Sequence, residues 1–360
     1  MDSQTSGIAT EAPAVAPWPS EDLEHLGACP ACGGSERSVF LDGLTDKAFR
    51  VAGGIWTLHA CAGCGAAYLD PRPSPASIGR AYGHYYTHGA FRVDESQFFW
   101  RQSGLNARLK TGYLNRRYGY AFPGGIAAGS AIVRLKRALR LNIDYSIRHL
   151  PAPSAPGAKL LDVGCGSGPF VALAAALGYR ASGIDPDPKA VAAGRDAGLD
   201  VRFGLLPDPA LAEAGFEQIT MSHTFEHLHR PREALAQCFD MLVPGGRLWI
   251  SQPNLGALGL KRFGRDWRGL EPPRHLSLYD FRSLAALLES AGFAAIRLLP
   301  AEEAADFYYQ QSAAMRLGLD PYAAAPDPAE AKAAQAANRR ARRDPSLSES
   351  VTVTAIRPRG

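Results

Sequence analysis

What this 360-residue chain lacks narrows it first. No run of apolar residues is long enough to cross a membrane, and even LVPGGRLWI at 242–250 is short and broken by glycines. The opening MDSQTSGIATEAPAVAPWPSE has neither the basic start nor the apolar stretch of a secretory signal, so a cytoplasmic location is expected. Charge is nearly balanced: 39 Lys and Arg against 35 Asp and Glu leave a net +4, too mild by itself to call for a nucleic-acid partner. Cysteine is scarce, six in all. Four of the six fall in two Cys-x-x-Cys pairs, which argues against a disulfide framework and for a metal site in a reducing compartment. One absence is local. Between Arg101 and Arg140 there is no Asp or Glu, against nine Lys or Arg.

What is present divides the chain. Residues 1–25, rich in Ala, Pro, Ser and Thr, read as a mobile tail. Residues 26–90 hold short segments punctuated by Gly and Pro, with too little apolar material for a core unless something staples it. Residues 91–150 turn helical and basic, and PAPSAPG at 151–157 is a linker. From there to 360, strand and helix patterns alternate: KLLDV, PFVALAAALG, ASGID, PKAVAAGRDAG, EQITMS, PREALAQCFDML and GRLWIS. Near-continuous apolar strands flanked by helices predict a doubly wound α/β sheet covered on both faces. Residues 320–345 are a low-complexity insertion, either a surface helix or disordered. The final SVTVTAIRP alternates as a strand with one polar face would.

LLDVGCGSGPF sets Gly164, Gly166 and Gly168 between a strand and a helix, where a tight turn and a close ligand need glycine. The spacing is not that of a dinucleotide loop, whose third glycine is replaced here by Pro169. Asp185 ends the next strand, where a carboxylate can accept both hydroxyls of a ribose. Together LLDVGCGSGPF, GIDPDP, EHL before a helix, and PGGRLWISQPN resemble, in order and spacing, the class I methyltransferases that use S-adenosylmethionine. The resemblance runs from about 158 to 299. It implies a seven-stranded Rossmann-like sheet with an antiparallel last strand, here SVTVTAIRP. It also implies that Gly164, Cys165, Gly166 and Gly168 line the methionine part of the cofactor, with the Cys165 thiol read as packing. Asp185 would then bind the ribose and Asp162 orient the loop. FGLLPDP departs from the usual acidic pattern near the adenine. It offers Leu205 and Leu206 as an apolar sandwich and leaves the adenine amino group without an assigned partner.

CPACGG at 29–34 and CAGCG at 61–65 place Cys29, Cys32, Cys61 and Cys64 at the spacing of a closed tetrahedral zinc site. A closed site has no place for water, so the expected Zn²⁺ is structural, standing in for the missing core of 26–90. The run ACAGCGAAYLDPRPSPASIGRAYGHYYTHG resembles methyltransferases with an N-terminal zinc ribbon, including deoxysugar C-methyltransferases and relatives from polysaccharide pathways. That resemblance implies Tyr85 and Tyr86 as substrate-covering residues, with packing of the ribbon onto the sheet as the alternative.

His223, Glu226 and His227 in MSHTFEHLHRP spell the H-x-x-E-H of an inverted zinc peptidase. That site needs one continuous helix, whereas EQITMS before it reads as a buried strand and Pro231 as the first turn of the next helix. The histidines therefore belong to a strand end at the sheet's carboxyl edge, where ligands sit in open α/β folds. His227, with Glu226, is the expected base or hydrogen-bonding group toward the acceptor, while His223 and Glu226 could instead touch the cofactor or hold the loop. His275 in PPRHLSLYD is the second acid–base candidate, Arg274 joins it on the loop, and Trp267 is a candidate pocket wall.

The reading that follows is a methyl transfer from S-adenosylmethionine to a small hydroxylated acceptor such as a sugar, nucleotide-sugar or secondary-metabolite precursor. Two alternatives stay open. One is an RNA methyltransferase using the ribbon and the acid-free segment; the other is a cofactor-binding scaffold without activity. The ribbon lacks interleaved basic and aromatic residues, which argues against RNA. The basic segment could equally hold a sugar diphosphate or touch an anionic lipid surface. Oligomeric state is not legible.

Overall fold

The structure is a computed structural model that describes residues 16–82, 94, 96, 98–211 and 214–360. Tyr85 and Tyr86 lie outside the described residues. The N-terminal part is built on β1 (Leu23–Glu24), β2 (Arg37–Leu44), β3 (Trp56–Cys61), β4 (Ala67–Leu69) and β5 (Arg72–Pro73). Strands β2, β3 and β4 form an antiparallel meander, and β1 pairs with β5. Each Cys-x-x-Cys pair is a tight knuckle: Gly33 N donates to Cys29 O at 2.8 Å and Gly65 N to Cys61 O at 3.0 Å. Both glycines follow the second cysteine with φ near +79° and +75°, the left-handed step that closes each turn. The expected tail to residue 25 is shorter than its composition suggests. Trp18 packs edge-on against Trp56 at 5.9 Å, Ser20–Asp22 forms a 3₁₀ turn and β1 is already sheet.

Next come α1 (Leu105–Tyr118), α2 (Gly129–Leu135) and α3 (Arg137–Ser146). Their apolar faces, with Trp100 and Tyr120, share one cluster with Phe170, Leu177 and Tyr179 of the following domain. Tyr113 and Tyr118 both donate to Asp144 Oδ1, at 2.6 and 2.7 Å, pinning α1 to α3.

The remaining chain runs β6 (Lys159–Val163), α4 (Pro169–Ala176), β7 (Arg180–Asp185), α5 (Pro188–Asp196), β8 (Val201–Phe203), β9 (Phe216–Ser222), α6 (Pro231–Met241), β10 (Leu242–Pro253) and α7 (Leu258–Phe263). It continues through β11 (Ser277–Leu278), α8 (Phe281–Ser290), β12 (Ala294–Leu299), α9 (Ala305–Arg316), α10 (Pro328–Ala341) and β13 (Ser350–Ile356). Helix starts follow local chemistry. Pro188 and Pro328 occupy the first turns of α5 and α10 while Asp187 and Asp327 accept from backbone N–H groups two residues on. Asp280 and Ser283 close a capping box on α8.

Seven strands form one sheet in the order β12-β13-β10-β9-β6-β7-β8, as the alternating pattern predicts. From β8 across to β10 the strands pair in parallel, and β13 runs antiparallel to both β10 and β12. Chain order reverses between β6 and β9, so their carboxyl ends open the crevice in which such sheets bind ligands. β13 has the one polar face its alternation predicts, Ser350, Thr352 and Thr354, but both of its faces are buried, and Thr352 Oγ1 pairs with Ser251 Oγ at 2.9 Å. Of the two readings of 320–345 the helix holds for Pro328–Ala341, α10, which buries Ala334, Ala337 and Asn338 and packs on α9. The N-terminal unit is also less separate than its composition implies. β11, from the far side of the sequence, adds to β4, and Cys29, Ala31, Cys61, Ala66 and Tyr68 belong to the same core as β9, β10 and α6. Among the described residues, no helix is long and apolar enough to cross a membrane.

Candidate active site

The glycine turn leaves β6 and enters α4 directly. Gly164, Gly166 and Gly168 all take positive φ. At Gly164 a Cβ would stand 2.2 Å from Thr224 Oγ1, so this glycine lets the loop pack against the turn after β9. Asp185 accepts from Gly166 N at 2.7 Å and from Asp187 N at 2.9 Å. Burial pushes its carboxyl above the usual aspartate value, although both N–H donors work the other way. The role expected of Asp162, orienting the loop, falls geometrically to Asp185. Asp162 is fully buried beneath, bonded to Thr220 Oγ1 at 2.9 Å and paired with Arg148, whose guanidinium lies 3.6 Å over the Phe170 ring. The Cys165 side chain turns away into the Val171, Val191 and Val201 cluster. Leu206 is buried in the main core while Leu205 is half-buried beside it.

The strand-to-loop geometry after β9 is not a helix. His223 follows the strand with φ +51°, its N–H bonded to Ser251 O at 2.8 Å, and Phe225–His227 is a single 3₁₀ turn. Glu226 is fully buried, and its backbone O accepts from Leu276 N at 2.8 Å, stitching this turn to the 272–280 loop. Its side chain is surrounded by imidazoles: His223 Nδ1 stands 3.5 Å and His275 Nε2 3.9 Å from Oε1. Burial favours the neutral acid, but His223, His227 and His275 outweigh it and hold the carboxyl below the usual glutamate range. At His223 burial opposes the charge, yet Glu226 raises the imidazole above its ordinary value. Burial dominates at His275 and pushes it down to about 4, so it is neutral at pH 7.

His227 and His275 stack edge to face with centroids 4.9 Å apart. Nδ1 of His227 lies 2.9 Å from Arg274 O and 3.0 Å from Tyr82 Oη, and Nδ1 of His275 lies 2.8 Å from Gly269 O. Beneath them Arg274 is wholly buried between Asp46, at 2.6 Å, and Glu271, at 2.9 Å. Trp267 is no pocket wall. It is fully buried, and its Nε1 donates to Glu349 at 2.8 Å. The four cysteine sulfurs come together elsewhere. Cys29 and Cys64 lie 3.7 Å apart and Cys32 and Cys61 3.5 Å apart, close to the roughly 3.8 Å edge of a tetrahedron with zinc–sulfur arms.

The structure thus brings His223, Glu226, His227 and His275 to one edge and sets Asp185 and the glycines on the adjacent strand ends. Arg148, Tyr145, Tyr82, Asp46 and Glu271 take part without having been singled out in the sequence. Tyr145 Oη lies 3.4 Å from both His223 Nε2 and Ser251 Oγ. Tyr82, Tyr145, Arg148 and Asp46 carry no motif, since each is defined by a partner well removed in the chain, whereas Glu271 pairs with Arg268 and Arg274, each three residues away.

Residues 135–298 match the family model described as a methyltransferase domain. A ubiquinone biosynthesis O-methyltransferase of Xanthomonas axonopodis pv. citri (strain 306) is 34% identical over 149 residues, covering 38% of this chain and 62% of that protein. Its counterpart in Xylella fastidiosa (strain 9a5c) is 33% identical over 166 residues, covering 42% and 66%. The match spans less than two thirds of the length of these relatives. Among solved structures, the cyclopropane synthase MmaA2 from Mycobacterium tuberculosis aligns with a TM-score of 0.40 and 18% identity, over 62% of this chain and 84% of that one. The domain match, those relatives and the strand order together identify residues 135–298 as a class I S-adenosylmethionine-dependent methyltransferase domain.

Proposed function

We propose that the chain transfers a methyl group from S-adenosylmethionine to the oxygen of a small hydroxylated acceptor, a sugar, nucleotide-sugar or secondary-metabolite precursor, and that a structural zinc ion holds its four N-terminal cysteines. The observation that carries this is the proximity, on neighbouring strand ends, of the Gly166–Asp185 contact and the Glu226–His227–His275 cluster. The names of the curated relatives, O-methyltransferases of ubiquinone biosynthesis, support oxygen as the methylated atom.

Bound there, the cofactor supplies an electrophilic methyl carbon. Asp185 is suited to the ribose because a ligand's hydroxyls can take over the carboxylate now held by backbone N–H groups. The glycine turn admits the ligand close to the backbone. The histidine cluster faces the acceptor, aligns its hydroxyl with the methyl group and manages the proton that must leave as the new bond forms. The four sulfurs fit zinc in both number and spacing, and as a closed set they would leave no position for substrate.

Calorimetry with S-adenosylmethionine tests the first step: wild type binds, Asp185→Ala loses at least tenfold in affinity, and its melting profile is retained. Undiminished binding in that variant would remove the ribose assignment. A panel of sugars, nucleotide-sugars and phenols, followed by S-adenosylhomocysteine release, tests the acceptor class.

A further inference from the structure

The proposed methyl transfer leaves one arrangement at the sheet edge unexplained. Glu226 is completely buried, and among the described residues neither carboxylate oxygen accepts a hydrogen bond. A carboxylate placed to orient a histidine would accept its ring N–H. Here the carbonyls of Arg274 and Gly269 can only accept, so each of His227 and His275 donates through Nδ1 and turns the lone pair of Nε2 elsewhere. For His275 that Nε2 stands 3.9 Å from Glu226 Oε1 and 3.8 Å from Glu271 Oε2. Glu271 Oε2 is already taken by Arg268. The oxygen that faces the His275 lone pair with room for a cation between them is therefore that of Glu226, flanked on its other side by His223 at 3.5 Å.

We infer that Glu226, His227 and His275 form a binding site for a divalent first-row transition-metal ion, separate from the cysteine cluster. One ring nitrogen of each histidine and one carboxylate oxygen lie within 4.8 Å of one another. Ligands about 2.1 Å from a tetrahedral ion are about 3.4 Å apart, so the His275–Glu226 pair at 3.9 Å has to close by about 0.5 Å and no pair by more than about 1.4 Å. Two imidazoles and one carboxylate suit zinc, iron(II), cobalt(II) or manganese rather than magnesium, which prefers an all-oxygen shell. The backbone carbonyls behind both Nδ1 atoms act as the outer partners that fix tautomer and ring orientation at metal-binding histidines. Glu271 is engaged by Arg268 and Arg274 and so stays outside the ligand set. His223, on the opposite flank of the Glu226 carboxylate, steadies it.

Three protein ligands leave coordination positions open. The site lies on the edge proposed for the acceptor, so the inference rests on that reading and refines it. An acceptor hydroxyl bound to such an ion gives up its proton to water near neutral pH, and the remaining oxygen lone pair is the nucleophile for the methyl group.

Cobalt(II) alone is the probe, added to the full-length protein with its cysteine site already filled by zinc. The expected result is one bound equivalent with weak visible bands of nitrogen and oxygen ligation and no thiolate charge-transfer band in the near ultraviolet. Binding should weaken at least tenfold in Glu226→Gln and in His227→Ala, the latter at a half-buried position where folding is less at stake. Melting profiles and S-adenosylmethionine calorimetry on the same samples report whether each variant is folded. Cobalt that binds only by displacing zinc from the thiolates, or not at all in a folded protein, overturns the metal site. Intact S-adenosylmethionine binding would then leave the methyltransferase reading standing. Cobalt bound without any cofactor binding would do the opposite, keeping the metal site and discarding the proposed reaction.

Discussion

Glu349 is a carboxyl held out of water, with Gly259 N at 2.9 Å and Trp267 Nε1 at 2.8 Å as its donors. Burial raises its pKa to about 7, and the two hydrogen bonds only partly offset this. The folded state therefore keeps a proton that the unfolded chain releases near 4.5. The group's contribution is fully present below that value and is lost as pH rises toward 7. In Glu349→Gln, stability relative to wild type should improve by about 3 kcal/mol between pH 5 and pH 8, as measured by urea unfolding. A constant difference across that range would refute the assignment. Arg148 invites a second test, since it is the cationic partner of the wholly buried Asp162. Arg148→Met should cost about 3 kcal/mol, and adding Asp162→Asn should recover part of that loss, because the uncompensated charge rather than the missing contact dominates. At this scale the sequence was legible where a residue type has few possible tasks, as with the cysteines and the glycine turn. It was illegible for Asp46 and Arg148, whose roles exist only through partners that folding supplies.

Among the elements, the cysteine-bearing hairpins show how a segment can look independent and not be. β4 pairs with β11 from beyond residue 270, and Asp46 from the β2–β3 connection clamps Arg274 beside the histidines. Chelating the zinc proposed for the cysteines, or making Cys61→Ser, should therefore reach past residues 26–90. Hydrogen exchange should show β3, β4, β11 and the 272–280 loop losing protection together, whereas loss confined to 26–90 would mean the two parts are energetically separate. The sequence pattern predicted the inner strands β6, β9 and β10 well because each buries an apolar run. It also found β13, whose alternating Ser and Thr do line one face, although that face is buried. Inside, the Thr352 hydroxyl is satisfied by Ser251 of the neighbouring β10. The Ala-rich α10 was ambiguous for a related reason: small side chains carry no amphipathic signal, yet permit close packing on α9.

For the whole molecule, three apolar clusters join the cysteine hairpins, the basic helices and the sheet. Strand order places the ligand edge between β6 and β9 without reference to any single side chain, which is why the architecture could be read from pattern alone. The candidate site could be read only in part. His223, Glu226 and His227 are neighbours in sequence, but their meeting with His275 depends on the Glu226–Leu276 backbone contact. The inner position of β13 also has a consequence in time. During synthesis β10 is complete roughly a hundred residues before Ser350 is added, and at about 5–20 residues per second that is some 5–20 seconds. Throughout that interval the nascent sheet presents the edge of β10, rich in Leu, Trp and Ile, to whatever else is in the cell. A ribosome stalled ahead of residue 350 should yield a species that chaperones capture, while one stalled well beyond residue 356 should release it.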